Sequence, residues 1–131
     1  MYCDLLYTYS DKKGEGLMSI TGDIIREHTD TIILSALTGR DSYGYEINKK
    51  IKSASGGRYE LNEATLYTAF KRLEDRGLIN SYWGTEGSGA RRKYYHITPE
   101  GADSCRMLVA EWETAKKIID ALIQTEGNEN E

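Results

Sequence analysis

The residues with the clearest chemistry are three consecutive cations, Arg91, Arg92 and Lys93, which follow the glycine-rich stretch GSGA and precede two tyrosines. Guanidinium and ammonium groups beside a turn can neutralise phosphates, although a run of charge is more commonly a solvated face. The chain has no G-x-S-x-G, no H-E-x-x-H, no P-loop and no dinucleotide-binding fingerprint. The pattern therefore favours anion binding over catalysis, and we expect no enzyme activity and no cofactor.

Charge is unevenly distributed along the chain. The net charge of the 131 residues is −4, which by itself argues against a nucleic-acid partner. Residues 1–39 carry three cations against six acids and residues 98–131 carry three against eight, whereas residues 40–97 carry eleven cations against seven acids, a net charge of +4. Because a bulk isoelectric point hides such a basic middle, nucleic acid remains a credible partner.

Composition excludes several protein classes. The length suits one domain, and no apolar run approaches the ~20 residues of a membrane span, so no membrane partner is expected. Two cysteines and two histidines without ligand spacing argue against a disulfide framework or a metal site, and a reducing cytoplasm is expected. Residues 1–18 lack a clear period and are predicted to be a flexible extension, with an ordered arm as the alternative. Residues 126–131 are predicted to be an acidic tail.

The elements that would position the cations begin with helices. Periodicity predicts one helix from Thr21 to about Leu37, ended by TGRDS, and a second over YGYEINKKIKSA, capped by Ser42 and ended by SGGR. A third helix is predicted at about residues 63–76, with Asn62 as its N-cap and Gly77 as its C-terminal stop. Its buried stripe has apolar residues at i, i+3, i+4 and i+7, namely Leu66, Ala69, Phe70 and Leu73.

The buried stripe of the third helix determines which side chains face away from the core. At 100° per residue, the opposite face and its flanks carry small, hydroxylated, aromatic and cationic groups with one acid, Asp75. Such a surface suits the approach of an anion. We predict that five residues of this helix contact phosphates or base edges: Thr65, Tyr67, Thr68, Lys71 and Arg72.

A β-hairpin follows the third helix. Two segments rich in β-branched and aromatic residues flank a glycine-containing loop, which predicts strands at about 78–85 and 91–97. Alternation places Tyr95 with Ile97 on one face and Tyr94 with Arg92 on the other. Three helices followed by a hairpin form a winged helix-turn-helix, in which the third helix enters the major groove of DNA and the wing reaches the neighbouring groove. The predicted fold is mainly α (α+β), with this domain over residues 19–98 and the wing at about 78–97.

A long last helix is predicted over residues 99–125, with Thr98 as N-cap and Pro99 at the first helical position. Its apolar residues from Cys105 onward are spaced alternately three and four apart over about three heptads, as in a coiled-coil seam. A second copy of the chain is the simplest partner for this seam, although the seam could close on the chain's own first helix. The predicted dimer interface is Leu108, Trp112, Ala115, Ile119 and Leu122.

Three blocks of sequence carry a resemblance to a known family. DSYGYEINKKI, ATLYTAFKRLEDRGLI and GARRKYYHITPEG occur in an order and spacing that resemble the PadR family of bacterial transcription regulators, in its short form with a single C-terminal helix. The resemblance covers about Ser19 to Leu122 and departs at Thr68, where many members have proline. It implies a homodimer that binds a palindromic double-stranded DNA operator, usually as a repressor. In some members a small aromatic or cationic effector at the dimer interface releases the DNA.

Several residues keep two interpretations. Trp112 is either dimer core or a stacking wall for a flat effector. Tyr67 either contacts DNA or covers the second helix. Lys49 either contacts a flanking phosphate or belongs to a solvated face, and Tyr45 either bonds phosphate or packs in the core. The competing class of function is a winged-helix module for protein–protein interaction that does not bind DNA, which salt-dependent duplex binding would distinguish.

Overall fold

The computed structural model describes residues 19–85 and 91–123. These residues contain five helices and three strands. In chain order they are α1 (Ser19–Arg26), α2 (Thr29–Leu37), β1 (Ser42–Tyr43), α3 (Gly44–Ala54), α4 (Glu63–Asp75), β2 (Ile79–Thr85), β3 (Arg91–Ile97) and α5 (Pro99–Leu122). This order confirms the predicted winged helix-turn-helix followed by a long helix. The predictions for residues 1–18, for the loop at 86–90 and for the acidic tail lie outside the described residues.

The predicted first helix is two helices, so the prediction of one continuous helix was wrong. The chain turns at Glu27 and His28, where the His28 backbone adopts φ −107° and ψ 21°. His28 Nδ1 donates to the Ile24 carbonyl at 2.8 Å, and the Thr29 hydroxyl donates to the Arg26 carbonyl at 2.6 Å. These side chains satisfy carbonyls that a continued helix would have bonded, which stabilises the turn.

A single apolar core lies between the helices and one face of the sheet. Its largest fully buried side chains are Ile33, Leu34, Leu37, Ile47, Leu66, Phe70, Leu73 and Ile79. The antiparallel sheet has the order β1-β3-β2, with Ser42 opposite Tyr95 and Ile79 opposite Ile97. The two-residue strand β1 was not predicted. Ser42 was predicted as the cap of α3, but it lies in β1, and Tyr43 holds the cap position without a side-chain bond.

Both ends of α4 follow the predicted chemistry. Asn62 Oδ1 accepts the Thr65 backbone N–H at 2.8 Å, and Gly77 ends the helix with φ +76°, a conformation that favours glycine. Thr98 caps α5 by accepting the Gly101 N–H at 2.9 Å, with Pro99 at the start of the helix. Within the part of the chain described, no helix is both long and apolar enough to cross a membrane.

Candidate nucleic-acid interface

The outward face of α4 is the centre of the candidate interface. The buried stripe predicted for this helix is confirmed, since Leu66, Ala69, Phe70 and Leu73 are each at most 2% exposed. Consequently Thr68 and Lys71 are exposed on the opposite side, and Thr65 is half-buried at its edge. The Lys71 ammonium lies 3.6 Å from the Asp75 carboxylate, and both side chains are mostly in solvent, so this pair is weak and the ammonium remains accessible.

Tyr67 lies at the junction of α4 and α3. Its ring packs edge-on against Phe70, with centroids 5.5 Å apart. A Cβ placed on Gly44, the first residue of α3, would lie 2.5 Å from the Tyr67 hydroxyl, so the phenol sits directly over the glycine. Tyr67 therefore covers the start of α3, one of the two interpretations offered for it, while nearly half of the side chain remains exposed.

Arg72 faces α2, away from the middle of the exposed face of α4. Its Nη2 lies 2.5 Å from Asp30 Oδ1, and Arg76 Nη1 lies 3.5 Å from Asp30 Oδ2. The bond to Asp30 raises the pKa of Arg72 above its already high ordinary value. One carboxylate at the start of α2 thus holds two guanidinium groups, one within α4 and one at its C-terminal end. Sequence reasoning missed Asp30, because no local pattern relates residues 42 positions apart.

The three cations of the wing do not share one face. Tyr95 is buried and stacks on Phe70 of α4 with ring centroids 3.8 Å apart, which defines the face of the sheet that is turned toward α4. Alternation places Arg91 and Lys93 on that face and Arg92 on the opposite one. Arg92 Cζ lies 4.7 Å from the centre of the Tyr43 ring, so its guanidinium packs on the opposite face. All three side chains are exposed.

Burial also affects the chemistry of the tyrosine that joins wing and helix. It raises the pKa of Tyr95 to about 12, and the nearby Glu74 carboxylate acts in the same direction. The neutral phenol is therefore the form in the folded protein at physiological pH. Tyr95 acts as an anchor between β3 and α4; alternation had separated it from Tyr94 without deciding which of the two faces inward.

The base of the wing is tied to the connection between α2 and β1. The Tyr82 hydroxyl donates to Asp41 Oδ2 at 2.5 Å, and His96 Nδ1 lies 2.8 Å from Asp41 Oδ1. The Tyr82 bond lowers the pKa of Asp41, His96 lowers it further, and partial burial opposes them. The bonds therefore favour a charged carboxylate that links both strands of the wing to the body of the domain.

The cations of α3 differ in their surroundings. Lys50 Nζ donates to the Ala36 carbonyl at 3.2 Å near the end of α2, and Lys52 lies 3.6 Å from Glu60. Lys49 is exposed, with its Nζ 6.0 Å from the centre of the Tyr45 ring. Tyr45 itself is 71% exposed, which rules out the core as its location. Lys49 and Tyr45 thus form an exposed pair on α3, the helix that precedes α4 in the helix-turn-helix.

Trp83 is an exposed aromatic that sequence reasoning did not select. It lies in β2 opposite Lys93, on the face turned toward α4, and is 57% exposed. Arg91 Cζ lies 5.0 Å from the centre of its ring. Strand alternation could have identified it, because Trp83 shares its face with the inward Tyr95 but lies farther from the core along the hairpin.

The seam of α5 is only partly covered by its own chain. Cys105 is buried and Ala115 is half-buried, but exposure rises from 37% at Leu108 to 75% at Leu122. Trp112, at 36% exposed, packs against His28 with ring centroids 4.9 Å apart and planes at 70°. The seam therefore closes on the chain's own α1–α2 turn near Trp112 and leaves its C-terminal half in solvent.

Comparison with known proteins agrees with this architecture. A transcriptional regulator from Clostridium thermocellum is 49% identical, superposes with a TM-score of 0.71, and matches over 78% of this chain and 96% of its own. A PadR family transcription regulator from Clostridium difficile is 39% identical with a TM-score of 0.66, over 74% of this chain and 99% of its own.

A sequence relative covers most of this chain, and a family model assigns the family. An uncharacterised protein of Lysinibacillus sphaericus is 42% identical over 80% of this chain and 96% of its own length. The model of the transcriptional regulator PadR-like family matches residues 33–107. With its helix-turn-helix, its wing and this match, the chain belongs to the PadR-like family of transcriptional regulators, which are DNA-binding proteins without enzymatic activity.

Proposed function

We propose that this regulator is a repressor that binds a palindromic operator as a homodimer, with α4 in the major groove and the wing on the flanking backbone. The observation that supports this most is the row of cations on one side of the fold. Lys71 of α4 and Lys93 of β3 line one cleft, and Arg91 continues the row along the wing. The same cleft holds two acids: Glu74 accepts from the Ser81 hydroxyl at 2.5 Å, and Asp75 lies 3.6 Å from Lys71 in the weak pair described above.

Contacts to base edges and contacts to phosphates divide between the elements. Thr68, Thr65 and Lys71 lie on or beside the exposed face of α4, where hydroxyl and ammonium groups can reach base edges in the major groove. Arg91, Arg92 and Lys93 would contact phosphates without regard to sequence, and Lys49 with Tyr45 would contact the backbone from α3. Tyr67 and Arg72 are already engaged with Gly44 and Asp30, so we assign them to the edge of the contact surface.

The dimer would form through α5. Ile119 and Leu122 are exposed on its seam, and Ile20 and Ile24 are exposed on α1. An apolar helix face of this kind favours a partner, and a second copy gives a two-fold, self-complementary interface. Two-fold symmetry in the protein requires a palindromic operator, because each α4 then reads one half-site.

The proposed effector site is beside Trp112. Its ring is partly exposed where α5 meets His28, and the exposed seam continues on the C-terminal side. A second copy packed there would enclose the indole, whose large face suits a flat aromatic molecule or an organic cation. A test uses a Trp83→Phe variant, in which Trp112 is the only tryptophan: its emission should change on addition of an aromatic cation. Unchanged emission with a broad aromatic library would contradict the effector site.

Binding to DNA is tested by fluorescence anisotropy with two duplexes, each at two salt concentrations. One is taken from upstream of the gene that encodes this protein, and the other is a scrambled sequence. We expect tighter binding to the upstream duplex and strong salt dependence. Substituting Arg91 and Arg92 together by alanine should weaken binding to both duplexes and reduce the salt slope by about 0.9 for each phosphate that the variant no longer neutralises. The control removes two cations of α5 instead, Lys116 and Lys117, and should leave the slope unchanged.

The outcomes separate the competing functions. An equal reduction of the slope in the α5 control would assign the effect to net charge and contradict the role of the wing. Absence of binding to either duplex at low salt would favour the protein-interaction module. Sedimentation equilibrium at the same concentrations tests the dimer, and a mass equal to the 14.8 kDa monomer would contradict it.

A further inference from the structure

Trp83 is an exposed aromatic residue with two cations beside it. Single apolar side chains on a protein surface are common and need no explanation. Here, however, the indole has Arg91 Cζ 5.0 Å from its ring centre and Lys93 directly opposite on β3. The wing thus presents a flat apolar surface flanked by two cations, on the face turned toward α4.

The position of Trp83 along the wing places it beside the groove that α4 would enter. Tyr95 stacks on Phe70 of α4, and Lys93 is the next residue of β3 on the same face, about 7 Å farther out. Trp83 pairs with Lys93, so the indole lies about 7 Å beyond the point at which wing and α4 touch. Because the major groove is about 12 Å wide, this distance reaches its bordering sugar–phosphate strand.

We propose that Trp83 packs its indole on deoxyribose of the DNA backbone at the edge of the groove, while Arg91 and Lys93 contact the adjacent phosphates. The sugar–phosphate backbone alternates apolar deoxyribose with anionic phosphate, and this patch alternates an apolar ring with cations in the same way. The inference rests on the proposed DNA contact of the wing and adds to it an apolar contact that carries no charge. Deoxyribose is common to all sequences, so this contact strengthens binding without reading bases.

Two readouts test the contact directly. In a Trp112→Phe variant Trp83 is the only tryptophan, since the chain has two. Adding the upstream duplex should shift its emission to the blue and reduce quenching by acrylamide. Trp83→Ala should weaken binding about tenfold to the upstream and the scrambled duplex alike, and the salt slope should stay unchanged because no charge is removed.

The control is Asn80→Ala, which truncates an exposed side chain on the opposite face of the same strand. We expect a smaller decrease in affinity than with Trp83→Ala. An equal decrease would show that any damage to the wing weakens binding and would overturn the contact. A reduced salt slope in Trp83→Ala would also overturn it, because the indole would then act only by positioning Arg91.

The same fluorescence measurements show whether something other than DNA covers the Trp83 indole. A blue shift that grows with protein concentration in the absence of DNA would overturn the proposal and assign Trp83 to contact with a second copy. Unchanged emission while anisotropy reports binding would overturn this inference alone and leave the proposed function intact. If the unmodified protein binds neither duplex, the proposed function fails and the Trp83 contact fails with it.

Discussion

Replacing Gly101 by alanine should destabilise the protein, although alanine is the better helix former. Gly101 is the third residue of α5, and a Cβ there would lie 2.0 Å from the Leu78 carbonyl oxygen and 2.8 Å from Ile97 Cγ1. Cβ atoms essentially never approach other atoms within 3.0 Å, so the start of α5 must move by about 1 Å. The obstacle is backbone, and the same Leu78 carbonyl accepts the Thr98 N–H at 3.1 Å.

The sign of the change in stability shows which of two opposing effects of Gly101→Ala is larger, improved helix propensity or overpacking. Helix propensity alone would stabilise the alanine variant by up to about 1 kcal/mol. Overpacking against a rigid neighbour costs about 1–3 kcal/mol, and disturbing the Thr98 cap adds about 1 kcal/mol. We therefore expect a net decrease of about 1–3 kcal/mol in the free energy of unfolding, with Tm lowered by about 3–6 °C for each kcal/mol.

The assay is thermal and urea unfolding followed by circular dichroism at one fixed protein concentration, because the proposed dimerisation would make Tm depend on concentration. The matched control is Gly22→Ala in α1, where the nearest atom to the new Cβ would be Arg26 Nη1 at 3.6 Å, an ordinary contact. This control should be neutral or stabilised. A Gly101→Ala protein as stable as the unmodified protein would refute the reasoning.

Two further predictions concern carboxylates that tie elements together. Asp30→Asn should lower the free energy of unfolding by about 1 kcal/mol, because Arg72 and Arg76 would lose their shared partner. The effect is small because both arginine side chains are about half exposed. Asp75→Asn is the control, and an equal decrease in urea titrations would contradict a special role for Asp30. Tyr82→Phe should raise the pKa of Asp41, because the Tyr82 bond is the main cause of its lowering. A lowered Asp41 pKa stabilises the fold above the unfolded-state value of about 3.8, and this stabilisation disappears as pH falls through the folded pKa. The stabilities of the variant and the unmodified protein should therefore converge in acid. A carboxyl NMR titration that gives equal Asp41 pKa values in the two proteins would contradict the prediction.

Local chemistry made much of the fold predictable. Asn62 and Gly77 mark the ends of α4 because a capping amide and a left-handed glycine act within a few residues of the chain. The hairpin strands, predicted at about 78–85 and 91–97, are Ile79–Thr85 and Arg91–Ile97, because alternation and turn residues are also local. The exposed face of α4 and the position of the cations on the wing followed from these elements, whereas the family was identified from three sequence blocks that resemble it.

Features that depend on distant contacts could not be predicted. Ile25 and Ile32 are seven residues apart, as on one face of a continuous helix, so only the bonds from His28 and Thr29 reveal the break between α1 and α2. β1 has two residues, which is too short to establish a period, and it is visible only through its pairing with β3. The engagement of Arg72 by Asp30 required the packing of α4 against α2.

The junction around Thr98 connects these elements into one unit. The Thr98 hydroxyl donates to the Gly77 carbonyl at 2.8 Å and accepts the Gly101 N–H, and the Thr98 N–H donates to the Leu78 carbonyl. The end of α4, the start of β2 and the start of α5 therefore meet at one buried residue. If α5 pairs two copies as proposed, the separation of the two α4 helices follows from the point along α5 at which they pair. The spacing of operator half-sites would then be set by the apolar seam, and a shift of the seam by one heptad should change the preferred spacing while leaving the half-site sequence unchanged.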